Sequence, residues 1–268
     1  MRGTATLGSA VCYSGHATSA SWEGRHVADG TRFKRFVREV VGPRVADIAE
    51  VASSFESDLL GLATTGMATE FVERLLKAVP EPEGWEVGEA LAECALQQDS
   101  GRQVHWPWNM VRDRRTPRAS LPGSDLVGFY SENDSVLLLF GEVKTSSDSR
   151  TPPNVMNGGS GMAWQLEQSA TRLDIQHALL EWLHWRCQSE PYRDLYEKAV
   201  GRYLKSEGKE LLLVGILIRD TTPNELDLKN RGQALSMKLG KPTRIELIAW
   251  YLPVPIAEWP KLLKEEAS

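Results

Sequence analysis

The 268-residue chain predicts an α/β fold, a short mixed sheet flanked by helices, with an N-terminal helical region ahead of it. Three observations predict it. Apolar runs at 126–130, 136–143, 211–218 and 245–252 have the length of strands and are bounded by turn residues. Stretches with apolar residues at three-and-four spacing separate them. The order is helix, two adjacent strands, helices, strand, helix, strand, helix, which suits a sheet layered by helices.

Each element follows from its own residues. The first thirty are rich in Ser, Gly, Ala and Thr with little period, so they read as irregular or as a weak edge element. From Arg32 to about Lys77 the spacing of Phe33, Phe36, Val37, Val40 and Val41, and later Phe71, Val72, Leu75 and Leu76, predicts helix. Pro80-Glu81-Pro82-Glu83-Gly84 breaks it. The expected boundary therefore falls there, with 1–84 a mainly helical N-terminal region and 85–268 the main domain. Trp85 to Gln98 reads as helix with Val87, Leu91, Cys94 and Ala95 on one face. The arginine-rich stretch from Gly101 to Pro122 shows no period. Leu126 to Tyr130 and Val136 to Val143 read as two strands joined by a turn at Ser131–Asp134. The second is apolar on both faces, as a central strand should be. Beyond the Pro/Asn/Gly-rich loop 151–161, helices are expected at about 162–187 and 192–205. A strand at 211–218, a helix at 224–239, a strand at 245–252 and a closing helix at 256–266 complete the chain.

Composition excludes some functions. Apolar content of 41% and charged content of 25% are those of an ordinary globular protein. No run approaches the roughly 20 apolar residues that span a bilayer, and Arg2 is followed by no apolar segment of secretory type. A cytoplasmic protein with no membrane partner is expected. Cys12, Cys94 and Cys187 match neither a disulfide framework nor a metal knuckle. The formal charge of −5 means that any nucleic-acid contact needs a local basic groove.

The stretch that carries chemistry runs Gly123-Ser124-Asp125-Leu126-Val127-Gly128-Phe129, then, after the turn, Phe140-Gly141-Glu142-Val143-Lys144-Thr145-Ser146. Strand side chains alternate, so Glu142 and Lys144 share a face one pleat apart, while Val143 points into apolar packing. Asp125 opens the preceding strand. If the two strands pair, two carboxylates and an ammonium converge at one sheet end. Such charge is costly to desolvate unless compensated. A divalent cation compensates it, because Mg²⁺ takes oxygen ligands and keeps several waters. Metal-bound water is a nucleophile, and a neighbouring lysine orients it and offsets charge on a phosphoryl group. The plainer reading is a solvated Glu–Lys pair at a strand end.

The pattern Gly-Ser-Asp125, strand, Glu142-Val143-Lys144 resembles the PD-(D/E)XK nuclease superfamily. At the level of element order the likeness spans about Val87 to Leu252; at the level of motif it rests on a few residues. It implies a restriction-endonuclease-like core in 85–268, hydrolysis of DNA phosphodiester bonds, Asp125 and Glu142 as ligands of Mg²⁺ (or Mn²⁺), and Lys144 as the catalytic lysine. Ser124 stands where the family often has proline. The likeness further assigns Glu89, on the preceding helix, as an additional metal ligand or water-positioning acid, with Glu93 in reserve, and Gln165, on the helix after the lysine strand, as a catalytic amide. Plain helix-surface roles remain the alternative for all three. Gly-Glu-Val-Lys-Thr-Ser, the Gly-Ser-Asp strand and the N-terminal helical region together resemble, more narrowly, the nuclease subunit of Hachiman anti-phage defence systems. That likeness implies a helicase (ATPase) partner.

Arg102, Arg112, Arg114, Arg115 and Arg118, set among His105, Trp106 and Trp108 and opposed only by Asp113, supply a local basic and aromatic stretch for DNA. Core plugging by Trp106-Pro107-Trp108 is the competing reading. His177, Glu181 and His184 have metal spacing but lie in a strongly packed helix. Gly158-Gly159-Ser160-Gly161 lacks the second glycine of a hydrolase elbow, and no nucleotide phosphate loop occurs, so any energy-driven motion on DNA must come from a partner. The expected function is the nuclease effector of a defence complex, against two alternatives: a stand-alone restriction or repair endonuclease, or a catalytically idle nuclease fold used as a scaffold.

Overall fold

The computed structural model describes residues 5–45, 56–77, 82–107 and 123–263. Seven strands form one mixed sheet in the order β1-β2-β7-β6-β5-β4-β3. They are β1 (Ala10–His16), β2 (Ala20–His26), β3 (Gln103–His105), β4 (Leu126–Glu132), β5 (Ser135–Ser146), β6 (Leu211–Arg219) and β7 (Arg244–Tyr251). β2, β7, β6 and β5 run parallel to one another, and antiparallel pairs close both edges. All of β6 is buried, as a strand covered on both faces must be.

The helices are α1 (Gly30–Phe36), α2 (Gly66–Lys77), α3 (Gly84–Gln98), α4 (Met162–Thr171), α5 (Leu173–Arg186), α6 (Tyr192–Lys205), α7 (Lys229–Lys238) and α8 (Trp259–Leu262). α1 continues through a π-helical turn, Val37–Val41, into Gly42–Val45. α3 starts on a capping box, with Glu83 N–H donating to Glu86 Oε2 at 2.7 Å. Among the described residues no helix is long and apolar enough to cross a membrane.

Two expectations change. Within the stretch read as irregular or a weak edge element, Ala10–His16 and Ala20–His26 form a paired hairpin with β1 at the sheet edge, and the sheet crosses the boundary expected at 84: β2 pairs with β7 along its length. Phe33, Phe36, Val37 and Val41, all fully buried, belong to the same core as β5 and β6. The hairpin lacks a strong hydrophobic signal because its inward face is Ala20, Trp22 and Gly24. The Tyr13 ring fills the space that a side chain at Gly24 would need, and Trp22 does the same over Gly15. The second change is the closing helix, whose described part is a short 3₁₀ turn, Ile256–Glu258, and α8.

Paired residues of neighbouring strands point the same way, so the registers sort the two faces. Glu142, Gly215, Leu247 and Trp22 form one row across β5, β6, β7 and β2. α4 and α7 cover that face: Met162 and Leu166 lie against Gly215, and Gly232 lies against Trp22. α3 covers the other face, where a side chain at Gly88 would collide with Thr145.

A buried polar network ties the ends of β6 and β7 to the loop after β5. Arg219, 1% exposed, donates to Asp227 Oδ2 at 2.6 Å and to the carbonyl oxygens of Asp148 and Arg150. Tyr251 OH donates to the same Asp227 oxygen at 2.8 Å and accepts from Tyr13 OH at 2.7 Å. A buried guanidinium held by one carboxylate and two carbonyls leaves that loop little freedom.

Candidate active site

β5 is buried from Val136 to Val143 and begins to emerge at Lys144. Its register with β4 sets Leu126 opposite Gly141, and Asp125 N–H donates to Gly141 O at 3.0 Å, so the ladder reaches one step further. Asp125 thus stands opposite Glu142 and on its face. Ser124 fixes this approach. Its buried hydroxyl accepts from Gly141 N–H at 3.0 Å and donates to Gly141 O at 2.7 Å. Sequence reasoning saw Ser124 only as a replacement for proline; a hydroxyl directly before Asp125 was the available sign of a clamp.

Gly141 has its own reason. A side chain there would sit 2.6 Å from Val214 O and 3.1 Å from Leu126 Cβ. Gly141→Ala is expected to force β5 away from β6 immediately before Glu142. The cost is about 1–3 kcal/mol, read as a lowered thermal midpoint; an unchanged melt would show that the strands yield without cost.

The charged groups meet. Asp125 Oδ2 accepts from Val143 N–H at 2.9 Å. Lys144 Nζ lies 2.6 Å from Glu142 Oε1. Glu142 is 3% exposed, and its carboxyl is pushed up to about 8, first by burial and then by the negative charge and hydrogen bond of Asp125, with Lys144 pulling the other way. With Glu142 ionised, two carboxylates and one ammonium would leave the site one positive charge short, a deficit that the proton retained on Glu142 makes up. Among the described residues no three His, Cys, Asp or Glu side chains gather to hold an ion. Asp125 and Glu142 bring two oxygen-donor side chains to one place on the sheet.

The other candidates are distributed as follows. Glu89 is buried and adjoins Gly88, which packs on Thr145, but its helix covers the opposite face of the sheet. Glu93 is engaged elsewhere: Arg44 Nε lies 2.5 Å from its Oε2, tying α3 to the N-terminal helix. Gln165 lies on α4, on the Glu142 side, and its Oε1 is buried without a hydrogen-bond partner among the described residues. No family model matches the chain, and no curated protein or solved structure does either. The reading of this site rests on its geometry.

The expected DNA-contacting arginines divide. Arg102 is a correction, because it is locked in an acid cluster, with Glu246 Oε2 at 3.0 Å, Glu23 Oε1 at 3.1 Å and Asp99 also paired to it. Burial opposes its charge, but those acids outweigh it and raise its pKa. Glu23 and Glu246 lie on the α3 face, away from Glu142. Arg112, Arg114, Arg115 and Arg118 lie outside the described residues, as does Trp108. Trp106 is a core plug, 6% exposed and packed over Gly128.

Proposed function

We propose that this chain is a Mg²⁺-dependent (or Mn²⁺-dependent) deoxyribonuclease with a PD-(D/E)XK-type core. The observation that carries the reading is the placement of Asp125 and Glu142 at opposed positions of paired strands, with Lys144 Nζ 2.6 Å from the Glu142 carboxylate. Asp125 and Glu142 are the residues that would hold the cation, and their shared charge deficit is what such an ion supplies. When bound, the ion polarises a phosphoryl oxygen and acidifies a water.

The chain's own groups do the rest. Val143 N–H fixes one Asp125 oxygen, so that carboxylate is preorganised rather than free to rotate. Glu142 gives up its proton when the site is loaded, since a carboxyl ligand must be ionised. Lys144, whose Nζ lies 2.6 Å from Glu142 Oε1, would orient the attacking water and offset charge developing on the phosphate. Gln165, on the overlying helix, brings an acceptor that has no partner among the described residues and suits hydrogen bonding to that water.

The likeness to Hachiman nuclease subunits makes a helicase-type ATPase the partner to test, and a bacterial anti-phage complex the setting. The decisive assay incubates the chain, alone and with that partner, with duplex DNA, single-stranded DNA and RNA, in Mg²⁺, Mn²⁺ or a chelator. Cleavage of DNA that needs the dication is expected. Absence of cleavage of every nucleic acid under all these conditions would overturn the proposal, and cleavage of RNA alone would correct its substrate.

A further inference from the structure

We propose that Arg231, in the first turn of α7 beside the loop before α4, is a docking point for a backbone phosphate of the substrate strand. The assignment rests on the nuclease reading and adds a phosphate contact outside the arginine-rich stretch. Three observations carry it.

The first is charge. Arg231 is half-buried, and among the described residues its guanidinium donates only to Asn157 Oδ1, with no carboxylate in ion-pair range. Its Nε–H is buried with no acceptor among the described residues, which leaves the Nη donors to meet a ligand. Cations nearby are matched: Lys229 with Glu225 at 3.3 Å, Lys238 with Glu167 at 2.6 Å, and Arg219 with Asp227 at 2.6 Å. A partly buried cation without a counter-ion is costly to keep. An anionic ligand removes that cost, and a guanidinium fork fits phosphate oxygens two at a time.

The second is placement. Arg231 precedes Gly232, which lies on Trp22, at the far end of the row that begins with Glu142. Three strand spacings separate the ends of that row, about 14 Å. The row itself lies beneath α4 and α7, so a strand held at Glu142 would reach Arg231 by passing along the sheet end where Lys144 emerges, a span of a few nucleotides. α7 runs antiparallel to β2, because Gly232 lies on Trp22 while Ser19, just before β2, bonds to Ser236 and Leu239. Its N-terminal end, with Arg231 in the first turn, therefore faces the same sheet end as Lys144, and the helix dipole adds positive potential there.

The third is preorganisation. Asn157 is held by the turn into α4: Gly161 packs against its backbone and Gly161 N–H donates to Gly158 O at 3.1 Å. The Asn157 side chain brackets one edge of the guanidinium and so orients the remaining donors.

The test is anisotropy of labelled DNA with the full chain in chelator, over a salt series, for wild type, Arg231→Gln, Arg231→Lys and Lys238→Gln, each checked by thermal melting. Arg231→Gln is expected to weaken binding about tenfold and to lower the salt slope by about one phosphate. Arg231→Lys should recover the slope but only part of the affinity, because it keeps the charge and loses the fork. Lys238→Gln, at the other end of α7, should match wild type. In cleavage assays Arg231→Gln should raise KM with kcat retained. A folded Arg231→Gln protein with wild-type affinity and slope overturns the assignment while leaving the nuclease reading intact. Should Arg231→Gln fail to fold, Arg231→Lys decides, and wild-type affinity there overturns it. Wild type that binds no DNA at all removes both.

Discussion

Glu142→Gln, Asp125→Asn and Lys144→Met are each expected to abolish metal-dependent DNA cleavage, lowering the rate by about 10³-fold or more. All three changes preserve side-chain volume, so a loss of rate reports on charge and coordination rather than on packing. They should differ in stability. Glu142→Gln removes a carboxyl that burial and Asp125 oppose, so the metal-free protein should be as stable as wild type or more so. A site that is poorly stable without its ligand, and improved by neutral substitution, is the signature of a functional rather than a structural cluster. Lys144→Met should cost stability, because it leaves Glu142 and Asp125 without the ammonium 2.6 Å from the Glu142 carboxylate. Cleavage that persists in all three variants would remove this constellation from the chemistry.

The stability of the metal-free protein should fall as pH rises from about 4.5 to about 8. Glu142 is raised from 4.5 to about 8 in the folded chain, so between those values the native state binds a proton that the unfolded state has lost. Stability tracks the proton count of the unfolded state minus that of the native state, and that difference is negative throughout this window. The contribution is therefore fully present below the unfolded pKa and is lost as pH passes the folded one. The loss is on the order of a few kcal/mol. A dication takes the proton's place, so Mg²⁺ should raise the thermal midpoint little at about pH 5.5 and strongly at about pH 8.5. In Glu142→Gln both effects should disappear. A midpoint that responds to Mg²⁺ equally at both pH values would mean that the ion binds elsewhere.

Sequence and structure agree most closely where hydrophobicity and charge change abruptly. Val136 to Phe140 is apolar on both faces, and Glu142 and Lys144 follow at once; a run of that kind reads as a central strand with charge at its end. β6 and β7 were legible for the same reason. The β1–β2 hairpin was not, because Gly15 and Gly24 let aromatic rings lie across them and leave no apolar alternation in the chain. β3 is three residues long, too short to show a period. In the site, Asp125, Glu142 and Lys144 could be paired from spacing alone. Arg102 was misread because its partners, Glu23 and Glu246, lie 79 and 144 residues away in sequence, and an arginine among arginines shows nothing of a remote acid. Arg231 was overlooked for the converse reason. Its singular feature is a missing counter-ion, which only the folded chain displays.

The strand order has a consequence for how the protein is made. β1 and β2 leave the ribosome first and β3 to β5 later, yet these two groups never touch in the sheet; β6 and β7, synthesised last, fill the gap between them. The molecule is built like an arch whose keystone arrives at the end. Until Arg219 has emerged, β5 lacks the parallel neighbour that stiffens it behind Glu142, and until Tyr251 has emerged β2 lacks its own. A chain that stops before β6 and β7 therefore cannot complete the sheet that positions Asp125, Glu142 and Lys144.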